Sequence, residues 1–141
     1  MRPIYENEWT MAGESVFAEF AKQKLNCELS KCPRSYMLDF AAVRGQKIVA
    51  FIEFKRRTNN HDLYPTYFIA ASKRMQAKAI RESSKLPVYL YVQWNDVLGF
   101  TNLATCEANW QMGGRKDRND PADQEPVIHI QLSEFKIFKN D

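Results

Sequence analysis

The sequence predicts a mixed α/β (α+β) fold on three observations. Two stretches carry apolar residues at helical spacing, and a pair of apolar runs between them is divided by turn residues. Further short runs rich in β-branched and aromatic residues follow the second helix. The order helix, hairpin, helix, strands lays helices on a mixed sheet. A chain of 141 residues fits one domain, residues 1–141.

The first helix is expected over residues 9–25. Trp9, Val16, Phe17, Phe20 and Ala21 recur at helical spacing, and Lys22 and Lys24 suit the negative end of the helix dipole. After a loop with Pro33 come two strands, residues 36–43 and 48–55, parted by Arg44-Gly45-Gln46-Lys47. A polar loop spans residues 56–65. Residues 66–84 then predict a helix of good formers with Phe68, Ala71, Met75 and Ala79 as its apolar stripe, stopped by Pro87. Residues 88–92 read as a buried strand, and Asn95-Asp96 turns into another at 97–103. A charged loop over 113–126 precedes a last strand at 127–132.

The hairpin places its own chemistry. With Gly45, Gln46 and Lys47 as the loop, Val43 faces Val49, Ala41 faces Phe51, Asp39 faces Glu53 and Met37 faces Lys55. The opposite face, with Phe40, Ile52, Leu38, Phe54, Ala42 and Ala50, is wholly apolar and calls for a helix above it. Two carboxylates set opposite each other in an apolar sheet repel unless a cation lies between them. Asp39 and Glu53 with water and a phosphate suit Mg²⁺, and Lys55 on the same face suits an attacking water and charge developing on phosphorus.

Asp39 followed by Ile52-Glu53-Phe54-Lys55 resembles the Asp…Glu-x-Lys signature of the PD-(D/E)XK nuclease superfamily. That group includes restriction enzymes, Holliday-junction resolvases, RecB-like nucleases and phage nucleases. The resemblance spans residues 14–92, with Leu38 in place of the proline usually written before the aspartate. It implies a restriction-endonuclease-like mixed sheet of four to five strands flanked by helices. It also implies a further carboxylate from the first helix, matched by Glu14, and a polar residue from the following helix, matched by Gln76. The implied catalytic set is Asp39, Glu53, Lys55, Glu14 and Gln76, with Asp39, Glu53 and Glu14 holding Mg²⁺ (Mn²⁺ substituting). Expected contacts to the nucleic-acid backbone are Lys73, Arg56, Arg57 and the basic loop residues Arg115, Lys116 and Arg118, with Arg34 and Tyr36 as further candidates.

Bland readings stand beside these. Glu53 and Lys55 form a surface ion pair in the plainest alternative, yet such pairs contribute only about 0–1 kcal/mol and give no reason to embed charges in apolar strands. Glu14, Lys73 and Gln76 also suit a solvated helix face, and the 115–118 loop suits solvent as well as phosphate. His129 alternates with Ile128 and Ile130 and is expected to face outward.

Composition narrows the class. Net charge is +3 with 45% apolar and 13% aromatic residues, a balance compatible with nucleic acid but not that of a polybasic binder. The first residues lack the apolar stretch of a signal peptide, and no run is long enough to span a membrane. Cys27, Cys32 and Cys106 are too few and odd in number for a disulfide framework, which points to a reducing cytoplasm. A zinc site from Cys27, Cys32 and His61 or His129 matches no familiar spacing. The expectation is a cytoplasmic metal-dependent nuclease hydrolysing phosphodiester bonds in DNA, in phage or bacterial recombination, repair or degradation, with a homodimer suggested by family habit. The alternative is a catalytically inactive nucleic-acid-binding or assembly module with the same fold.

Overall fold

The computed structural model describes residues 8–32, 38–114 and 124–138, and among these the chain forms two α-helices, nine strands and a short 3-10 turn at Leu132–Glu134. Helix α1 (Glu8–Lys24) leads into β1 (Glu28–Lys31) and the hairpin β2 (Phe40–Arg44) and β3 (Lys47–Arg56). Strand β4 (Thr66–Ala70) runs directly into α2 (Ala71–Ser84), followed by β5 (Val88–Gln93) and β6 (Leu98–Asn102). Strands β7 (Asn109–Gly114), β8 (Gln124–Gln131) and β9 (Lys136–Phe138) complete the described chain.

Six strands form the main sheet in the order β1-β2-β3-β5-β6-β9. Its central pair, β3 and β5, is parallel, so the chain must cross over between them, and α2 lies in that crossover. Residues 50–54 of β3 are all buried because both faces of the sheet are covered. On one face α1 packs Phe17 and Ala21 against Phe40, Ala42, Ile52, Phe54 and Tyr91. On the other, Ala71 and Ala77 of α2 share a core with Phe51, Val88, Leu90, Val92 and Trp94. Ile128 and Ile130 of β8 join that second core from an antiparallel three-stranded sheet ordered β4-β8-β7.

The α/β class and the hairpin hold, while several elements differ. Residues 66–70 are strand instead of helix, because Thr66 to Ala70 pair with Gln131 to Val127 far along the chain. The apolar stripe expected on α2 is displaced accordingly. Phe68 and Met75 are exposed, and the buried helix residues are Ala71 and Ala77. Val16 of α1 is exposed as well. Strands β1, β7 and β9 are additional to those expected: β1 and β9 widen the main sheet beyond four to five strands, and β7 joins β4 and β8 in a second sheet.

The turn also differs, with an instructive result. Arg44 pairs with Lys47, so the loop is the two residues Gly45 and Gln46, both at positive φ (57° and 65°). This is the type I′ arrangement that matches strand twist. Ladder partners then shift from Val43↔Ile48 to Ala42↔Ala50, leaving Val49 as a bulge residue. The bulge restores the register that a three-residue loop would have set, and Ala41 faces Phe51 as expected. Among the described residues no helix is long and apolar enough to cross a membrane.

Candidate active site

Alternation along β3 assigns its side chains. Ile52 and Phe54 pack beneath α1, so Glu53 and Lys55 project to the α2 side with Phe51. Asp39 sits just before β2, where its backbone N–H donates to Ile52 O (3.1 Å) and its carbonyl accepts from Cys32 N (2.8 Å). Its Oδ2 accepts a 2.8 Å bond from the backbone N–H of Phe54. Asp39 and Glu53 are 5% and 2% exposed, so both carboxyls are withdrawn from water.

Two lysines converge on one oxygen of Glu53. Lys73 Nζ of α2 lies 3.3 Å from Oε1, and Lys55 Nζ lies 3.6 Å from the same atom. The other oxygen, Oε2, is buried with no hydrogen-bond partner. Burial, and next the charge of Asp39, push the Glu53 carboxyl above the ordinary carboxylate range, while Lys73 and Lys55 pull it back. Gln76, one turn beyond Lys73 on α2, likewise keeps a buried Oε1 without a partner.

Such a donor set fits a hard divalent cation. A buried carboxylate oxygen with its lone pairs unused costs free energy, and a second carboxyl close enough to raise its proton affinity deepens that cost. An oxygen-seeking cation removes both penalties.

The other sequence candidates divide. Glu14 is buried on α1 and forms a 3.0 Å ion pair with Lys31 Nζ. Lys31 is in register with Phe40, the neighbour of Asp39, so Glu14 is tied to the hairpin through β1. Lys73, expected at the nucleic-acid backbone, touches Glu53. Arg56 and Arg57, expected together, part to opposite sides. The Arg56 side chain runs beside Gly13 of α1, whereas Arg57 continues the face of Glu53 and Lys55 and stacks 4.8 Å over the Tyr67 ring. Arg34, Tyr36, Met37, Arg115, Lys116 and Arg118 lie outside the described residues.

Sequence reasoning missed Lys31 and Tyr67, and weighed Cys32 only as a zinc ligand. The Cys32 thiol is raised by burial first and by Asp39 and Glu53 next, so it borders the acidic pair. Only the position of Cys32, seven residues before Asp39, hinted at this. His129 is half-buried on β8, with Nδ1 2.9 Å from Thr66 Oγ1. Apart from the hairpin, His61, Asp62 and Asp96 bring ligand-type atoms within 4.8 Å of one another. There His61 Nδ1 donates to Asp96 Oδ2 at 2.6 Å, and Asp62 is exposed.

Comparison with known proteins bears on this geometry. Residues 1–138 match the family model described as "Phage putative PDDEXK endonuclease". Among solved structures the chain is similar to Hjc, a Holliday junction resolvase from the archaeal hyperthermophile Archaeoglobus fulgidus. The two share 14% identity at a TM-score of 0.59, over 90% of this chain and 86% of that one. At that identity the likeness is one of fold. No curated relative matches the chain at a significant level.

Proposed function

The chain belongs to the phage PDDEXK endonuclease family, and from that premise we propose that it is a Mg²⁺-dependent nuclease cutting phosphodiester bonds in DNA during phage or bacterial recombination, repair or degradation. The single observation that carries the reading is the buried, unpartnered Oε2 of Glu53 on the face it shares with Lys55 and Lys73. Binding alone gives no reason to keep such a costly atom.

Asp39 and Glu53 would hold the metal, with Glu14, ion-paired to Lys31, as the further carboxylate offered by α1. A bound Mg²⁺ or Mn²⁺ supplies charge neutralisation at the phosphate and a more acidic water. Asp39 is fixed for this work by the Phe54 N–H, which prevents its carboxyl from swinging away. Lys55, the more exposed of the two lysines, orients the attacking water and donates to the phosphoryl oxygens as the bond to the leaving sugar oxygen breaks. Lys73 holds Glu53 Oε1 in place from α2, and Gln76 offers its oxygen to the water from the next turn. Arg57 steers the DNA backbone along the same face, and the basic residues Arg115, Lys116 and Arg118 offer a second grip.

The test is incubation of the purified chain with plasmid, linear and branched DNA in Mg²⁺, Mn²⁺ or EDTA. Cleavage in either metal and none in EDTA is the expected result. DNA binding without cleavage in either metal would overturn the reading in favour of a non-cutting module of the same fold.

A further inference from the structure

A cavity of about 230 Å³ opens where the β3 face runs out, lined in part by Arg57, His61, Tyr64, Tyr67, Phe68 and Trp94. We propose that this cavity receives one unpaired nucleobase of the strand being cut. The inference rests on the nuclease reading above and adds to it a substrate class, DNA with an unpaired base beside the scissile phosphate.

Position is the first support. Glu53, Lys55 and Arg57 alternate along one face, and four extended residues cover about 13 Å. A single strand laid along this face with its phosphate at Glu53 brings a nucleotide within about two positions of the cut past Arg57. Tyr67 is near enough to the acidic site that the charge of Glu53 acts on its hydroxyl.

Chemistry is the second. Trp94 and Tyr67 are buried and stand edge to face at 6.1 Å, while Tyr64 and Phe68 at 61% and 55% exposure form an aromatic rim. The Arg57 guanidinium lies over the Tyr67 ring at 4.8 Å. Aromatic faces with an arginine plane are the surfaces on which single bases stack, whatever their identity. His61 is pinned through Nδ1 to Asp96, leaving Nε2 for hydrogen bonding. The Tyr67 hydroxyl is buried and unpartnered, a polar group unused by the fold.

Size is the third. Pockets for drug-sized ligands run to roughly 300–1,000 Å³, so 230 Å³ suits a single flat ring system. A paired base in a stack presents only its edges and has no face to offer such a cavity. Entry requires a base already unpaired or turned out of the duplex.

The experiment uses the full chain in Ca²⁺ and a DNA with 2-aminopurine at one unpaired position beside a duplex, against the same sequence fully paired. Tighter binding of the unpaired DNA, on the order of tenfold, with a changed 2-aminopurine signal is expected, and Tyr64→Ala and Phe68→Ala should each erase most of the difference. Both rim side chains are more than half exposed, so their loss leaves core packing intact. Equal affinity for the two DNAs, unmoved by either substitution, would overturn the base site. Plasmid cleavage by the unaltered protein in Mg²⁺ is scored in parallel. Cleavage with no preference for the unpaired base sinks the base site and leaves the nuclease standing. A Tyr64-dependent preference with no cleavage in Mg²⁺ or Mn²⁺ sinks the nuclease and leaves the base site standing.

Discussion

Asp39 Oδ2 accepts a 2.8 Å hydrogen bond from the backbone N–H of Phe54, the residue that follows Glu53. One carboxylate is thereby fastened to the strand that bears the other. The same side chain has a structural duty and a proposed ligand duty, and substitution can separate them. Asp39→Ala leaves the buried Phe54 N–H unsatisfied and should cost about 1–3 kcal/mol in folding stability. Asp39→Asn keeps an acceptor and should cost far less, yet lose metal affinity and cleavage to the same extent. Urea denaturation beside a Mn²⁺ titration compares the two, and equal destabilisation would show that the bond contributes little.

Lys55 and Lys73 both meet Glu53 Oε1, at 3.6 and 3.3 Å, but only Lys55 is assigned to the reacting water. Lys55→Ala should spare metal binding, or strengthen it, while cleavage falls by a factor on the order of 10²–10³. Lys73→Ala removes the closer cation and should raise the Glu53 carboxyl further. The acid limb of its cleavage profile then moves to higher pH, whereas that of Lys55→Ala drops in height chiefly. Full pH–rate profiles decide, and undiminished cleavage by Lys55→Ala would mean that the lysine has no part in the chemistry.

Glu53 also sets a pH dependence of stability. Burial and Asp39 raise its carboxyl above the ordinary value near 4.3, so the native state binds this proton more tightly than the unfolded chain. The stabilising contribution is complete below the ordinary carboxylate range and is lost as pH rises through the raised native value. Melts in EDTA should show Tm falling across that window, and Glu53→Gln should flatten the fall. Mg²⁺ should raise Tm most at the alkaline end, where the carboxylate is free of its proton. A Tm that climbs steadily with pH in EDTA, identically in Glu53→Gln, contradicts this.

The bulge at Val49 lies between the turn and Glu53, which projects to the α2 side. Deleting Val49 removes only the extra residue and leaves Ala42 opposite Ala50, so Glu53 keeps its face and cleavage should persist. Deleting Ile52, beyond the bulge, moves Glu53 into the place of Ile52 beneath α1, and cleavage and metal binding should vanish. Gln46→Gly is the benign counterpart, relieving a left-handed non-glycine residue at φ 65° and adding up to about 1 kcal/mol of stability with activity unchanged. Urea midpoints and cleavage assays read all three.

The hairpin was legible because alternation over β2 and β3 is strong and its pairing is local. Its loop length was misjudged by one residue, and the bulge compensates by one. Thr66 to Ala70 were not legible as strand, since their partners on β8 lie some sixty positions away and the segment flows into strong helix formers. The four residues of β1, Glu-Leu-Ser-Lys, carry no apolar pattern because only its pairing with β2 orders them. Arg56 and Arg57 read as one basic pair, but successive strand positions face opposite ways. Lys73 was visible as a basic residue, and its meeting with Glu53 depends on α2 packing that sequence spacing does not show.

The second sheet gives the protein an order of assembly. Its middle strand, β8, spans Gln124–Gln131 and pairs with β4, whose last residue adjoins the first of α2. A nascent chain that has already made the hairpin and α2 has nothing to lay β4 against, so Lys73 and Tyr67 lack a fixed mount. The ribosome must deliver β8 before those side chains take their places. For a nuclease this delays competence until β8 has emerged, and fragments that stop short of it would be inert.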